Sequence, residues 1–481
     1  MIDRSAILRS ATLLSSGQVI GHGCSFVRNI ILARLLGPEH MGVAATFAIS
    51  VALFSMITEL SAGKLLVQAR DGEAPRFQAT VHLVNLIKGV LNGLLIFLMA
   101  WPLTRLFGVP EALWAFQCLA FVPLIQSLKH YDVVRLHRGM RFGPSVRLGI
   151  ASQVIVLAVA WPMAAWLGDY SAVLWLVLLE VSLATVGSHL LAERPYRLAC
   201  DREYIKRVLG FGWPLMLNGM LMFGTFQGDR VIVGTFYDMA DLGVYSVAFA
   251  LTLVPTLTLA RINGSLVLPA MSRAQDDPRQ FYRRYRQSVA ALAVIGGTLA
   301  AGFILFGEQA MLWLYGPEYA VAGAFIGWLG AMQAVRVLRE APSQAALARG
   351  ETINALLANI ARSIGLLLAL GVASQQMPLM WLAVAGLIGE LLAFNMAMYR
   401  LWKRHAMPFS MTLGPAMPVL VLTLSAAAVV WFTPTEVRGW ATGIAAAVMV
   451  LLVLAYVLVR FGFLPRSRPP IASVQLSEKP E

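Results

Sequence analysis

Hydrophobic residues run through this chain in blocks of about 20 or more, with polar positions gathered between the blocks rather than spaced at a helical period inside them. Each block has roughly the length a helix needs to cross ~30 Å of hydrocarbon. The pattern predicts about fourteen helices, near 8–36, 40–67, 77–103, 111–134, 143–167, 170–192, 207–236, 241–270, 287–307, 319–340, 351–374, 378–402, 410–432 and 437–461. The first block is longer than a signal-peptide core and has no clear cleavage site, so it is expected to stay as a mature helix. Composition agrees: with 58% hydrophobic and 13% charged residues, 481 residues hold more apolar surface than a soluble core can hide. The expected fold class is an all-α, polytopic membrane protein.

Charge changes the picture by giving an orientation. Lys and Arg crowd alternate connections: Arg135 to Arg141, Arg194 to Arg207, Arg279 to Arg286, and Arg400 to Arg404. By the positive-inside rule both termini are expected in the cytoplasm. The net charge of +13 is then a topology signal and a match to anionic headgroups. No basic domain stands apart from the helices, so nucleic acid is not an expected partner. The opposite loops are short and mildly acidic, with Glu39, Asp169, Asp238, Asp241 and Glu318.

Candidate chemistry is sparse. Cys24, Cys118 and Cys200 have neither disulfide nor metal spacing, and Gly21-His22-Gly23 lacks the rest of a dinucleotide fingerprint, so no cofactor is implied. A membrane-embedded glycan polymerase or ligase would need an acid or base held on sizeable loops. The longest outer connection, Gly307 to Glu318, is about a dozen mostly apolar residues. Transport fits better, and alternating access is commonly built from repeated halves. A period of about 201 residues lays Met41-Gly42-Val43 on Leu242-Gly243-Val244 and Gly23 on Gly224. An even number of helices per unit makes this a parallel pseudo-two-fold repeat. The expected organisation is a six-helix lobe over 1–200, a second over 201–405, two extra helices over 406–462, and a disordered proline-rich cytoplasmic tail over 463–481.

The stretch Arg34-Leu-Leu-Gly37-Pro38-Glu39-His-Met-Gly42 resembles the first-hairpin signature of the Wzx-type flippases, the polysaccharide-transporter branch of the multidrug/oligosaccharidyl-lipid/polysaccharide exporter superfamily. Asp229-Arg230-Val-Ile-Val-Gly234 with Leu242-Gly243-Val-Tyr245 resembles its counterpart in the second half, and Leu268-Pro269-Ala-Met-Ser272 the end of helix eight. The resemblance covers about residues 5–400. It implies a bacterial inner-membrane flippase moving undecaprenyl-diphosphate-linked oligosaccharide, with polymerase and chain-length proteins of the same pathway as partners. A drug or cation antiporter and a peptidoglycan-precursor flippase share the fold and remain alternatives.

A diphosphate and a sugar chain crossing hydrocarbon need a polar, cationic cavity, and charges at membrane depth are costly enough to mark it. Lys88, Glu180, Arg362 and Glu390 lie near the centres of their expected helices. Two readings stand side by side: intralobe ion pairs, Lys88 with Glu180 and Arg362 with Glu390, or bases that bind diphosphate or sugar with acids that carry a proton or sodium. The resemblance, in which the first two helices of each half line the cavity, favours Arg28, Lys64, Arg230 and Arg261 as ligands. Glu59 reads as a helix-end partner of Lys64 or a coupling acid. Asp229 is expected to face Arg28 across the lobes, with Arg230 a gate or ligand near the outer surface. The pairs Gly17/Gly21, Gly89/Gly93, Gly224/Gly228 and Gly323/Gly327 read as close helix contacts.

Overall fold

The computed structural model describes residues 4–432 and scattered positions between 443 and 456. The expected tail, and all but scattered positions of the expected fourteenth helix, lie outside the described residues. Within them the chain is helical throughout: α1 (Arg4–Ile57), α2 (Ala62–Gln68), α3 (Pro75–Leu106), α4 (Leu113–Cys118), α5 (Phe121–Ser127), α6 (Asp132–Arg135), α7 (Gly143–Leu167), α8 (Ser171–Leu190), α9 (Arg202–Phe236), α10 (Met239–Ser272), α11 (Pro278–Tyr315), α12 (Gly323–Ala348), α13 (Ile353–Ser374), α14 (Leu379–His405) and α15 (Ser410–Phe432). Ten helices among the described residues are long and apolar enough to cross a membrane, or eleven if the bent segment Pro110–Gly139 is one span.

Local chemistry sets the ends. α1 is two arms folded back at Gly37, whose φ of 74° suits glycine, and Pro38 opens the second arm without a donor to waste. Asp201, Asp238 and Asp277 cap α9, α10 and α11 by accepting hydrogen bonds from the backbone amides of their first turns.

The expectations met three differences. The expected helix 40–67 breaks: its arm stops at Ile57 and α2 begins at Ala62, with the Glu59 carboxylate accepting from Ser61 N and Oγ at 2.8 and 2.9 Å and so holding the break. The expected helix 111–134 is a chain of short turns bent by 54°, where Pro110 and Pro123 cannot extend an uninterrupted ladder. The supposed outer connection after Gly307 is helical, because α11 continues to Tyr315, and α12 likewise continues eight residues past the expected end, to Ala348.

Helices α10 to α12, α14 and α15 pack in one group and α3 to α8 in another, and the two groups meet chiefly where α1 crosses α9 and α10. Two glycines make the crossing of α1 and α10 possible. A Cβ on Gly42 would lie 1.8 Å from the Met239 carbonyl oxygen, and one on Gly243 would lie 1.9 Å from that of Pro38. The offset of about 201 residues carries each contact onto the other, as in a self-complementary interface. Gly89 and Gly93 serve similarly where α3 lies against Ser127, Pro123 and Ala120. Substituting Gly243 by alanine should force the two backbones apart and cost about 1–3 kcal/mol, read as a lower melting temperature of the purified protein. Gly23→Ala, with nothing within 4 Å of the added carbon, should melt like the parent.

Candidate functional site

Three polar centres lie inside the bundle. The first is a central cavity, of about 1000 Å³ including its open mouth, walled by both arms of α1, by α8, α9 and α10, and by Tyr315. Arg28, Arg230, His22, Ser25 and Asn29 line it. Arg28 Nη1 donates to Glu180 Oε2 at 2.7 Å, and Gln153 donates to the other carboxylate oxygen at 2.8 Å, so the guanidinium is aimed by an acid that is itself held. Arg230 lies over the Phe249 ring at 5.2 Å and donates to the Phe226 carbonyl, leaving its Nε without a partner.

A second cavity, about 950 Å³ on the same measure, opens between α3, α5, α8 and the broken end of α1. Lys88, Glu59, Lys129, Asn85 and Gln126 line it, and so does Glu180. Glu180 therefore stands in the wall between the two cavities, with its bonded partner in the first. Lys88 Nζ is 3.8 Å from Glu59.

The third centre is a buried cluster in the C-terminal half. Glu390, 0% exposed, accepts from Arg336 Nε at 2.7 Å and lies 2.8 Å from Arg362 Nε and 3.4 Å from Arg339 Nε. Asp229 lines a smaller cavity with Arg362 and accepts a hydrogen bond from Tyr245 at 3.2 Å.

These positions revise several pairings. Arg362 and Glu390 do meet, but with two further arginines. Lys88 pairs with Glu59, whereas Glu180 takes Arg28. Glu59 turns away from Lys64, because the break after Ile57 separates them and Lys64 stands exposed on α2. Arg28 and Asp229 do not form a pair: each finds a nearer partner, Glu180 and Tyr245. Arg230 lines the central cavity rather than extending to the outer surface. The side chain of Arg261, on α10, lies outside the described residues.

Arg336, Arg339, Gln126 and Lys129 are site residues that the sequence reading missed. The signal for the first two was the i, i+3 spacing of arginines in an apolar helix. Ending that helix at 340 put them at a wet helix end, whereas its run to Ala348 carries them deeper.

At the Gly37 end the two halves are latched. Arg34 donates from Nε to the Leu314 carbonyl at 2.8 Å and from Nη2 to the Trp313 carbonyl, so a cation on α1 closes the last turn of α11, where helix carbonyls lack partners. Tyr319 donates to the Ala33 carbonyl at 3.3 Å beside it. Arg34→Ala removes the charge-assisted bonds, worth about 1.5–3 kcal/mol. It should speed maleimide labelling of a cysteine placed at Tyr319, and an unchanged rate would show that the latch carries no closing energy.

At the opposite end ion pairs tie the loops. Arg207 donates to both oxygens of Asp71 at 2.7 and 3.0 Å, and Arg141 donates to Glu193 at 2.6 Å. These hydrogen bonds hold both carboxyls below the usual carboxylate range. The chain between the halves is thus pinned to the loops of the first.

Residues 31–323 match the family described as polysaccharide biosynthesis protein. The chain is 24% identical over 314 residues to the succinoglycan biosynthesis transport protein ExoT of Rhizobium meliloti (strain 1021), covering 64% of this chain and 62% of that one. It is 21% identical over 307 residues to the teichuronic acid biosynthesis protein TuaB of Bacillus subtilis (strain 168), covering 61% of each. The matches thus span about three fifths of these relatives' lengths. Among solved structures, lipid II flippase MurJ in an inward closed conformation superposes with a TM-score of 0.73 at 14% identity, over 95% of this chain and all of that one. An inward-facing multidrug resistance MATE transporter superposes at 0.63, also at 14% identity, over 86% and 99%. At those identities the likeness is one of fold.

Proposed function

Because the chain belongs to the polysaccharide biosynthesis protein family, we propose that it is a flippase of lipid-linked oligosaccharides, moving undecaprenyl-diphosphate-linked repeat units across the bacterial inner membrane for surface polysaccharide assembly. The observation that carries the reading is the central cavity, which presents Arg28 and Arg230 beside neutral hydrogen-bonding groups where the two halves meet. A guanidinium is suited to the diphosphate because its planar fork gives two parallel bonds to phosphate oxygens. Ser25, Asn29 and His22 supply the hydrogen-bonding contacts that sugars need, and the polyprenyl tail would stay in lipid.

In this reading the halves are two lobes, 1–200 and 201–405, that rock about the Gly42/Gly243 crossing, with both termini in the cytoplasm. The Arg34 latch closes the periplasmic side. Arg28 binds the diphosphate and Glu180 holds it in place, and release of Arg28 to the substrate would free Glu180 for a proton or sodium ion from the Lys88–Glu59 cavity. Lys64 and Arg261 would meet the substrate at the cytoplasmic mouth, and Asp229 with Arg362 and Glu390 would govern the second lobe. Polymerase and chain-length proteins would receive the product.

The test is transfer of a fluorescent lipid-diphosphate oligosaccharide in vesicles containing the purified protein. Sugar reaching the far leaflet only when the protein is present supports the proposal. Movement of a lipid-linked peptidoglycan precursor instead, or drug efflux with no lipid movement, replaces it with the corresponding relative's activity.

A further inference from the structure

The cluster around Glu390 has more positive charge than its own acids can balance. Three guanidiniums, Arg336, Arg339 and Arg362, face it, and Glu390 is the carboxylate in ion-pair contact with all three, while Asp229 lines a small cavity with Arg362 and stands next to a further cation, Arg230. Positive charge is left over in the interior of a helical bundle. Donors are left over as well. Both Nη atoms of Arg336, Nη1 of Arg362 and the amide nitrogen of Gln333, one turn before Arg336 on α12, are buried with no hydrogen-bond partner. Arg336 is 4% exposed and Gln333 1% exposed, so bulk water does not serve those two, and Arg362 meets a small cavity.

Charged donors left unpaired in such surroundings are costly, and chains that keep them have an acceptor for them. Each of these nitrogens needs an acceptor, and the two guanidiniums favour one that carries negative charge, while Glu390 Oε2 and Gln333 Oε1 also have no hydrogen bond. The Arg336 guanidinium sits over the Phe226 ring at 5.6 Å, which fixes its plane and limits its escape.

We propose that the Arg336, Arg362 and Gln333 nitrogens form a binding site for one small monovalent inorganic anion, a halide such as chloride, inside the C-terminal half and apart from the central cavity. The charge left over is positive, and a monovalent anion offsets part of it. The closure of the site selects for size: Glu390 is wholly buried, so a diphosphate carrying a lipid cannot reach the cluster. The small cavity that Arg362 shares with Asp229 and Thr225 is the way in. The anion would fasten α12 and α13 to each other across Glu390. This inference does not rest on the substrate: a protein that flips no sugar would still bind the ion.

The test uses the full-length purified protein. Melting is followed as chloride replaces gluconate at constant ionic strength, and bromide is located in crystals by its anomalous scattering. The expected result is a saturable rise of several degrees with chloride or bromide, a bromide peak between Arg336 and Arg362, and loss of the rise in Arg336→Gln but not in Arg105→Gln, an exposed control. A bromide-soaked crystal without a peak in the cluster overturns the proposal, as does a chloride effect equal in parent and Arg336→Gln. Stabilisation by phosphate but not by halide overturns the assignment of the ligand. If Arg336→Gln does not fold, the bromide peak in the parent protein decides alone.

Discussion

Glu390→Ala is expected to destabilise the chain by about 3–5 kcal/mol, the most damaging single exchange among the described charges. The wild-type carboxylate is fully buried and touches three guanidiniums, two of them at 2.7 and 2.8 Å. Taking it away leaves three cations facing one another in low dielectric with only Asp229 nearby. An ion pair of this kind is a poor source of stability when it is complete, since its desolvation cost offsets much of its attraction, yet breaking one is expensive because a buried charge is left alone. The asymmetry gives a second result to measure. Glu390→Ala combined with Arg362→Leu should recover part of the loss, since the second exchange removes one of the stranded cations. Thermal unfolding of the detergent-solubilised protein, followed by tryptophan fluorescence, reads both. If Glu390→Ala melts with the parent, water reaches the cluster freely and the charge excess drawn from its burial falls with it.

That cluster also marks where reading the chain stopped short. The spans themselves were legible, because twenty apolar residues in a row have few alternatives: α7 runs from Gly143 to Leu167 and α13 ends at Ser374, as their hydropathy blocks do. The Arg362–Glu390 contact was legible too, from two opposite charges at matching depth on successive helices. Its further partners were not, since the depth of Arg336 and Arg339 depends on where α12 ends, and a helix can carry arginines past an apolar block when acids wait on its neighbours. The pairing in the first half failed for another reason. Lys88 and Glu180 do line one cavity, but Arg28 reaches Glu180 from α1, and sequence depth cannot rank two cations that approach one acid from different helices. Glu59 shows the limit most plainly. A carboxylate in an apolar helix suggested a charge to neutralise, whereas its hydrogen bonds to Ser61 fix a break that hydropathy does not register. The reciprocal glycines were legible only as a mark of the repeat, Gly42 falling on Gly243, because a period in sequence does not say that each of the two glycines packs against the other's helix where α1 and α10 touch.

Exchanging the charges of the Arg28–Glu180 pair separates two roles that a single substitution confuses. Arg28→Ala should lower sugar translocation at least tenfold, a loss of about 1.4 kcal/mol or more, whether Arg28 binds the diphosphate or only braces α1 against α8. The double variant Arg28→Glu with Glu180→Arg restores an ion pair between the same two helices, and both positions are partly accessible, at 15% and 30%, so the reversed pair can be solvated as the original is. If Arg28 is a brace, the double variant regains both melting temperature and translocation. If it is the diphosphate ligand, melting recovers while translocation stays at the level of Arg28→Ala or below, because the new acid now stands on α1 at the place where phosphate oxygens must approach. The second outcome is the expected one. Arg230 lines the same cavity and the carboxylate at 180 already satisfies one edge of the Arg28 fork, which leaves its other edge to the Ser25 hydroxyl at 3.5 Å, too long a bond to compete with a diphosphate.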